Sequence, residues 1–387
     1  MALLVRDALL VRDAPLVRYA LLVCLALPAC APHHGEAWSR AIDAGASAFS
    51  DGRYADAAEY YREAAAAALR VKDRDEALFL EARTLARMER WDDARRAYAA
   101  LAALKPAGPR APRAAFEEAR LVIEHGDETE GWALIERAIE RYPSHGSTRL
   151  ALTHFLAVFA EHRGEAALRE RITSWLPRFV GTDSEQRLEY ELGRSLERSG
   201  ELAAAHAALL HAARRHPYPK GSLTDDALFV ASHVAERMGD VKLAILDLEE
   251  MLVVREIATG GSYERPRFPA ARMRIGELFR DKSGDFRAAR DAFRAVGRLH
   301  ETSILADDAA WQEGLMARRL GDGPGACEAA ERLVATFTSS RYVGCVSELC
   351  PSARAPAGRE CADYIRRELS PETPSAEPTS TSSTPSE

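Results

Sequence analysis

Self-similarity at a period of about 34 residues constrains this chain more than any other feature. From Ala44-Gly45 through Gly52, Tyr54, Ala57, Tyr61 and Ala64, the spacing suits two antiparallel helices packed as a hairpin. Small residues let the helices approach, large apolar residues fill the space between them, a glycine makes the turn, and a proline stops the second helix. The pattern returns at Ala82, Trp91, Ala94, Tyr98 and Pro106, then at Ala119, Gly126, Ala138 and Pro143. Its cleanest copy is the fifth, with Leu192-Gly193, Leu196, Gly200, Ala205, Leu209, Ala212 and Pro217. A sixth uses Leu228, Gly239, Ala244 and Leu248. A seventh uses Ile275-Gly276, Phe279, Gly284, Phe286, Ala289 and Phe293, with one extra residue in its turn. The eighth, at Trp311, Gly314, Gly321 and Ala326, is looser, and in a degenerate fourth between Ser147 and Pro177 the register blurs around Trp175.

Over residues 38–340 this pattern resembles the tetratricopeptide family. The resemblance implies an all-α fold: a right-handed α-solenoid of about eight TPR-like helical hairpins with a C-terminal capping helix. It implies a surface for proteins rather than a reaction. Two stretches are similar to envelope lipoproteins of the outer-membrane assembly (Bam-complex) and Tol-Pal types. They are His216-Pro217-Tyr218-Pro219 followed by Asp225-Asp226-Ala227-Leu228-Phe229, and Ser303-Ile304-Leu305-Ala306-Asp307-Asp308-Ala309-Ala310-Trp311. The aspartates belong at a helix N-terminal turn, where free N–H groups and the helix dipole favour negative charge.

The N-terminal residues carry an address. Arg6, Arg12 and Arg18 precede an apolar run from Tyr19 to Ala29, which reads as a secretory signal peptide. Leu3-Leu4-Val5-Arg6-Asp7-Ala8 recurs as a hexamer at residues 9–14 and again, altered, at 15–20, so the start of translation can be later than Met1. The run is shorter than the roughly 20 apolar residues of a membrane span. Leu27-Pro28-Ala29-Cys30 resembles the lipobox of bacterial lipoproteins, which implies a lipidated Cys30 as the mature first residue. Ala31, where relatives held at the inner membrane often carry aspartate, implies sorting to the outer membrane, facing the periplasm. The expected organisation is a signal peptide over 1–29, a lipidated tether over 30–36, a repeat array over 37–345, a cysteine-containing cap over 346–369 and a disordered Ser/Thr/Pro/Glu tail over 370–387. Ile257 to Pro269 reads as a loop insertion between the sixth and seventh repeats, and Arg359 to Leu369 as the capping helix.

A formal net charge of −7 argues against nucleic acid as a partner. The arginines alternate with Glu and Asp at helical spacing, as solvated faces do. Cys327, Cys345, Cys350 and Cys361 cluster near the C-terminus of a chain expected in an oxidising compartment, so two disulfides are expected. Of three connectivities, Cys327–Cys345 with Cys350–Cys361 closes the shortest loops and is favoured. A four-thiolate zinc site is the competitor, and it lacks a CxxC pair.

Nothing in the sequence spells an active site. GxSxG, HExxH, P-loop and Rossmann fingerprints are absent. Gly321-Asp322-Gly323-Pro324-Gly325 follows a helix and reads as an inter-helix turn rather than a phosphate loop. His206, His211 and His216 recur every five residues, which turns successive rings about 140° apart on a helix and denies them one metal-binding face. His33-His34 reads as a polar tether. The expectation is therefore a non-enzymatic scaffold with no cofactor or metal, no catalytic residue and no small-molecule substrate. It would bind an envelope protein or peptide segment while its lipid holds the membrane. An outer-membrane assembly subunit, a Tol-Pal or peptidoglycan-linked regulator and an accessory to a cell-wall enzyme are the alternatives. Mapping the groove-facing positions of the family onto the fifth to seventh repeats selects Tyr190, Arg194, Phe229, His233, Met273 and Arg280. Aromatics beside arginines suit a binding surface, and the same apolar positions equally suit inter-helix packing.

Overall fold

The computed structural model describes residues 34–253, 265 and 267–369. Cys30, the signal segment, most of the 257–269 insertion and the 370–387 tail lie outside the described residues. Those described form helices and no strand, so the all-α expectation holds. None of these helices is long and apolar enough to cross a membrane. The chain divides into two compact units between Phe155 and Leu156.

In the first unit, α1 (Glu36–Ser50) and α2 (Tyr54–Ala67) form one hairpin, α3 (Val71–Arg87) and α4 (Trp91–Ala103) the next, and α5 (Ala111–His125) and α6 (Glu128–Arg141) the third. The helical stretch α7 (Gly146–Phe179) runs across the division and is broken at Gly164, whose φ of 83° is not helical. The blurred fourth repeat is thus two helical limbs joined by a single glycine.

The second unit continues with α8 (Glu185–Arg198) and α9 (Leu202–Arg215), α10 (Thr224–Arg237) and α11 (Val241–Leu252), α12 (Phe268–Leu278) and α13 (Phe286–Leu299), and α14 (Ala306–Arg319) and α15 (Gly323–Thr336). Beside the split α7, the described residues hold three helix pairs in the first unit and four in the second, matching seven of the expected hairpins.

The period has a steric cause. A Cβ added to Gly45 would lie 2.7 Å from the Tyr61 ring, and one on Gly193 would lie 2.7 Å from Leu209 Cγ. Each glycine faces a large side chain sixteen residues on, and both partners are buried. Gly276 meets Phe293 in the same way, seventeen residues on. The extra residue of that repeat is absorbed by a π-helical turn, Phe279–Ser283, which ends on Gly284 in the left-handed region. Widening one turn leaves both flanking helices in register.

Four second helices begin on a capping aspartate directly after the turn. Asp127, Asp240, Asp285 and Asp322 accept hydrogen bonds from the backbone N–H groups of Glu130, Leu243, Ala288 and Gly325 respectively. In the Gly321–Gly325 stretch, Gly321 and Asp322 make such an inter-helix turn and Gly323–Gly325 opens α15. Replacing Asp285 with Ala should cost about 1 kcal/mol, read as a lower denaturation midpoint with an unchanged m-value.

The C-terminal segment differs from the expectation in two ways. The disulfides join Cys327 to Cys350 and Cys345 to Cys361, not Cys327 to Cys345 and Cys350 to Cys361. Short helix α16 (Val346–Leu349) is responsible: Leu349 packs over Gly314, and the chain leaving it carries Cys350 back to Cys327 near the start of α15. The last helix, α17 (Asp363–Leu369), starts four residues later than Arg359. Gly358, at φ 79°, and the bonded Cys361 hold the intervening chain out of helical geometry. Ile365 is buried in one cluster with Trp311, Leu333, Tyr342, Val346 and Leu349, so this segment packs on the eighth hairpin.

Candidate functional site: the first-helix face of repeats five to seven

The second unit places the candidate binding residues on or just after α8, α10 and α12, the first helices of consecutive hairpins. Tyr190 and Arg194 are one turn apart on α8, and Arg194 Nη1 lies 3.5 Å from the Tyr190 hydroxyl, to which it donates. Arg194 also pairs with Glu197 at 3.1 Å. On α10, Phe229 and the exposed His233 stand with ring centroids 4.8 Å apart. The guanidinium of Arg267 lies 5.0 Å from the Phe229 ring centroid while its Nε donates to Asp226 at 2.8 Å. Tyr190 and Phe229 are both half-buried and pack against the cluster that includes Ala212, Ala227, Leu228 and Leu248. Each therefore serves the core with one side and offers a rim to the surface.

The other two candidates are committed elsewhere. Met273 packs against Ala289, Phe293 and Met316. Arg280, in the π turn, donates to Gln312 at 2.6 Å and pairs with Asp281. The structure thus builds two aromatic–polar pairs, Tyr190/Arg194 and Phe229/His233, while Met273, equally half-buried, packs against Phe293.

Ion pairs tie successive first helices along this face. Arg237 of α10 donates to Glu197 of α8 at 3.1 Å, and Arg274 of α12 donates to Glu236 of α10 at 2.9 Å. Sequence reasoning assigned these arginines to solvated faces with partners on their own helix. It missed the inter-repeat pairs, whose signal is a separation near one repeat rather than one turn. The most buried case is Glu313 of α14, fully buried between Arg294 at 2.6 Å and Arg332 at 2.7 Å. Breaking such a pair would leave an uncompensated buried charge. Its place in the core makes it structural.

Only His206 goes its own way; His211 and His216 converge on one carboxylate despite their spacing, because His216 stands at the C-cap, outside the helix. His206 lies 2.8 Å from Asp247, a pair buried between α9 and α11, and burial pushes that carboxyl above the usual range. His211 and His216 instead reach Glu189 on α8, each at 3.2 Å. Burial likewise raises the Glu189 carboxyl. Glu185, one turn earlier, is lowered: burial opposes ionisation, but the Gly181 N–H and Arg215 outweigh it.

Comparison with known proteins bears on the fold. The tetratricopeptide-repeat family model matches residues 79–146 and 190–262. No curated protein matches the chain. Among solved structures, the C-terminal part of a TPR repeat-containing protein from Cytophaga hutchinsonii is similar at 16% identity, over 68% of this chain and 97% of that one, with a TM-score of 0.42. PilW, a widely conserved type IV pilus biogenesis factor, is similar at 19% identity over 60% of this chain and 96% of its own, with a TM-score of 0.35. A tetratricopeptide repeat protein from Parabacteroides merdae gives 11% identity, 72% and 99% coverage and a TM-score of 0.33. Over residues 79–146 and 190–262 the chain is thus similar to tetratricopeptide repeats.

Proposed function

We propose that this chain is a non-enzymatic scaffold of the cell envelope that binds a protein or peptide segment, anchored to the outer membrane through lipidated Cys30 and facing the periplasm. Tetratricopeptide repeats bind proteins or peptides, and their fold is typically non-catalytic. The observation that carries the binding claim is the pair of aromatic–polar groups, Tyr190/Arg194 and Phe229/His233, on consecutive first helices. Half-buried aromatics are pre-ordered and lose little entropy on contact, and neighbouring arginines and histidines supply directional hydrogen bonds. Supporting the address are the apolar run before Cys30 and two disulfides of the kind that persist outside the cytosol.

Crosslinking and pull-down from intact envelopes tests the binding surface. The Arg194→Glu/His233→Glu variant should capture at least about tenfold less of whatever the native chain captures, a loss of about 1.4 kcal/mol. Equal capture by a folded variant would sink the surface. A barrel protein in the captured fraction would make the chain an assembly subunit; enrichment at division sites would make it a wall regulator. Separately, Cys30→Ala should move the protein from the membrane to the soluble periplasmic fraction, and unchanged fractionation would count against the anchor.

A further inference from the structure

Where α9 ends, the fifth hairpin gathers side chains that the binding face does not use. Glu185 and Glu189 lie one turn apart on α8, so both carboxylates point the same way. His216 caps the end of α9 and faces them. Its Nε2 is 3.2 Å from Glu189 Oε2 and 3.9 Å from Glu185 Oε2, and one donor atom from each of the three residues lies within 4.8 Å of the others.

Two further facts separate this cluster from an ordinary ion pair. Glu189 is only 6% exposed, and its Oε2 makes no hydrogen bond. His216 Nε2 is equally buried and equally without a hydrogen bond, although Glu189 Oε2 is so near. An imidazole N–H aimed at that oxygen would satisfy both atoms. Here the two atoms lie side by side without hydrogen-bond alignment, as two ligands of one cation do. Bonds of about 2.1 Å in tetrahedral geometry set ligand atoms about 3.4 Å apart, between the two distances from His216.

The surroundings hold the three residues in place. Glu185 accepts from the Gly181 N–H at 2.7 Å and from Arg215 Nε at 2.9 Å. The His216 carbonyl accepts from Gln186 Nε2 at 3.2 Å and from the Thr224 hydroxyl at 2.6 Å, which fixes the backbone that carries the ring. Such outer contacts are what orient ligands in metal sites. Arg215 neutralises part of the carboxylate charge, with its Nε 2.9 Å from Glu185 Oε1 and 3.7 Å from Glu189 Oε1, on the oxygens turned away from His216 Nε2. His211 Nδ1 lies 3.2 Å from the other oxygen of Glu189, and its side chain is 62% exposed, so it borders the cluster from solvent.

We propose that Glu185, Glu189 and His216 form a binding site for a divalent transition-metal ion of the zinc class, clamping the start of α8 to the end of α9. Two carboxylates and one imidazole make a mixed oxygen–nitrogen set suited to zinc, with water or His211 to complete four-coordination. Calcium and magnesium prefer all-oxygen shells.

The test uses the full chain with its disulfides intact, stripped with chelator and titrated calorimetrically with zinc chloride. One equivalent should bind, and at about 100-fold excess over the dissociation constant the unfolding midpoint should rise by about 5 °C. Glu189→Gln and His216→Gln should each weaken binding by about 100-fold or more and abolish the midpoint shift. Glu189→Gln keeps the side chain's shape, and the helical signal and metal-free midpoint of each variant, measured alongside, keep lost binding distinct from misfolding. Cobalt(II) should give a spectrum of nitrogen and oxygen ligands. No binding, full binding by both variants, or a thiolate-to-cobalt charge-transfer band would each overturn the site.

Discussion

Gly276→Val is expected to destabilise the second unit by about 3 kcal/mol or more, read as an early loss of helical signal on urea or thermal unfolding. Even the first added carbon would lie 2.5 Å from the Phe293 ring, which is fully buried. Phe293 cannot step aside, because Ala289 and Met316 are packed with it. Valine adds two further methyls and stiffens the helix at χ1. Gly276→Ala should be milder, since overpacking is partly offset by better helix propensity. Gly239→Ala is the control: its Cβ meets nothing within 4 Å, and only the φ of 81° penalises it, by about 1 kcal/mol. Should Gly276→Val cost no more than Gly239→Ala, close helix approach is not what sets the repeat.

Removal of both disulfides, by Cys345→Ser and Cys350→Ser together, is expected to loosen the C-terminal segment while the earlier hairpins stay folded. The bonds close loops with sequence separations of 23 and 16 residues, each contributing about 3 kcal/mol by chain entropy. Because the loops interleave, the two contributions are not additive. Trp311 and Leu333 would lose the cover of Leu349 and Ile365. Limited proteolysis should then cut first between Phe337 and Leu369, and the hairpins of α8 to α13 should resist, since solenoid repeats depend on nearest neighbours. Non-reducing peptide mapping should recover Cys327 with Cys350 and Cys345 with Cys361. Peptides joining Cys327 to Cys345 would refute this packing of α16.

The hairpins were legible in the sequence because local chemistry determines them. A small residue, a glycine turn and a large residue at fixed spacing need no information from afar, and even the surplus residue before Gly284 was visible as a count. The disulfide pairing was not legible. Loop length ranks closure entropy, whereas the pairing follows from Leu349 docking on Gly314, a contact between distant residues. The cluster at His216 was hidden for a related reason. Spacing along one helix set the histidines apart, yet His211 and His216 both meet Glu189, because the carboxylates come from the neighbouring helix and His216 stands at the helix end. Met273 and Phe229 carried the same apolar signal in the sequence; only the packing sends one against Phe293 and leaves the other beside His233.

The π turn at Phe279–Ser283 has a consequence for how such chains change over time. An added codon in a tightly periodic protein would ordinarily rotate every later side chain by about 100° and scramble each downstream contact. Here a single swollen coil swallows the surplus, and Gly284 resets the count before Asp285 begins the next helix. A single surplus residue at this joint is therefore accommodated without rebuilding the coils on either side.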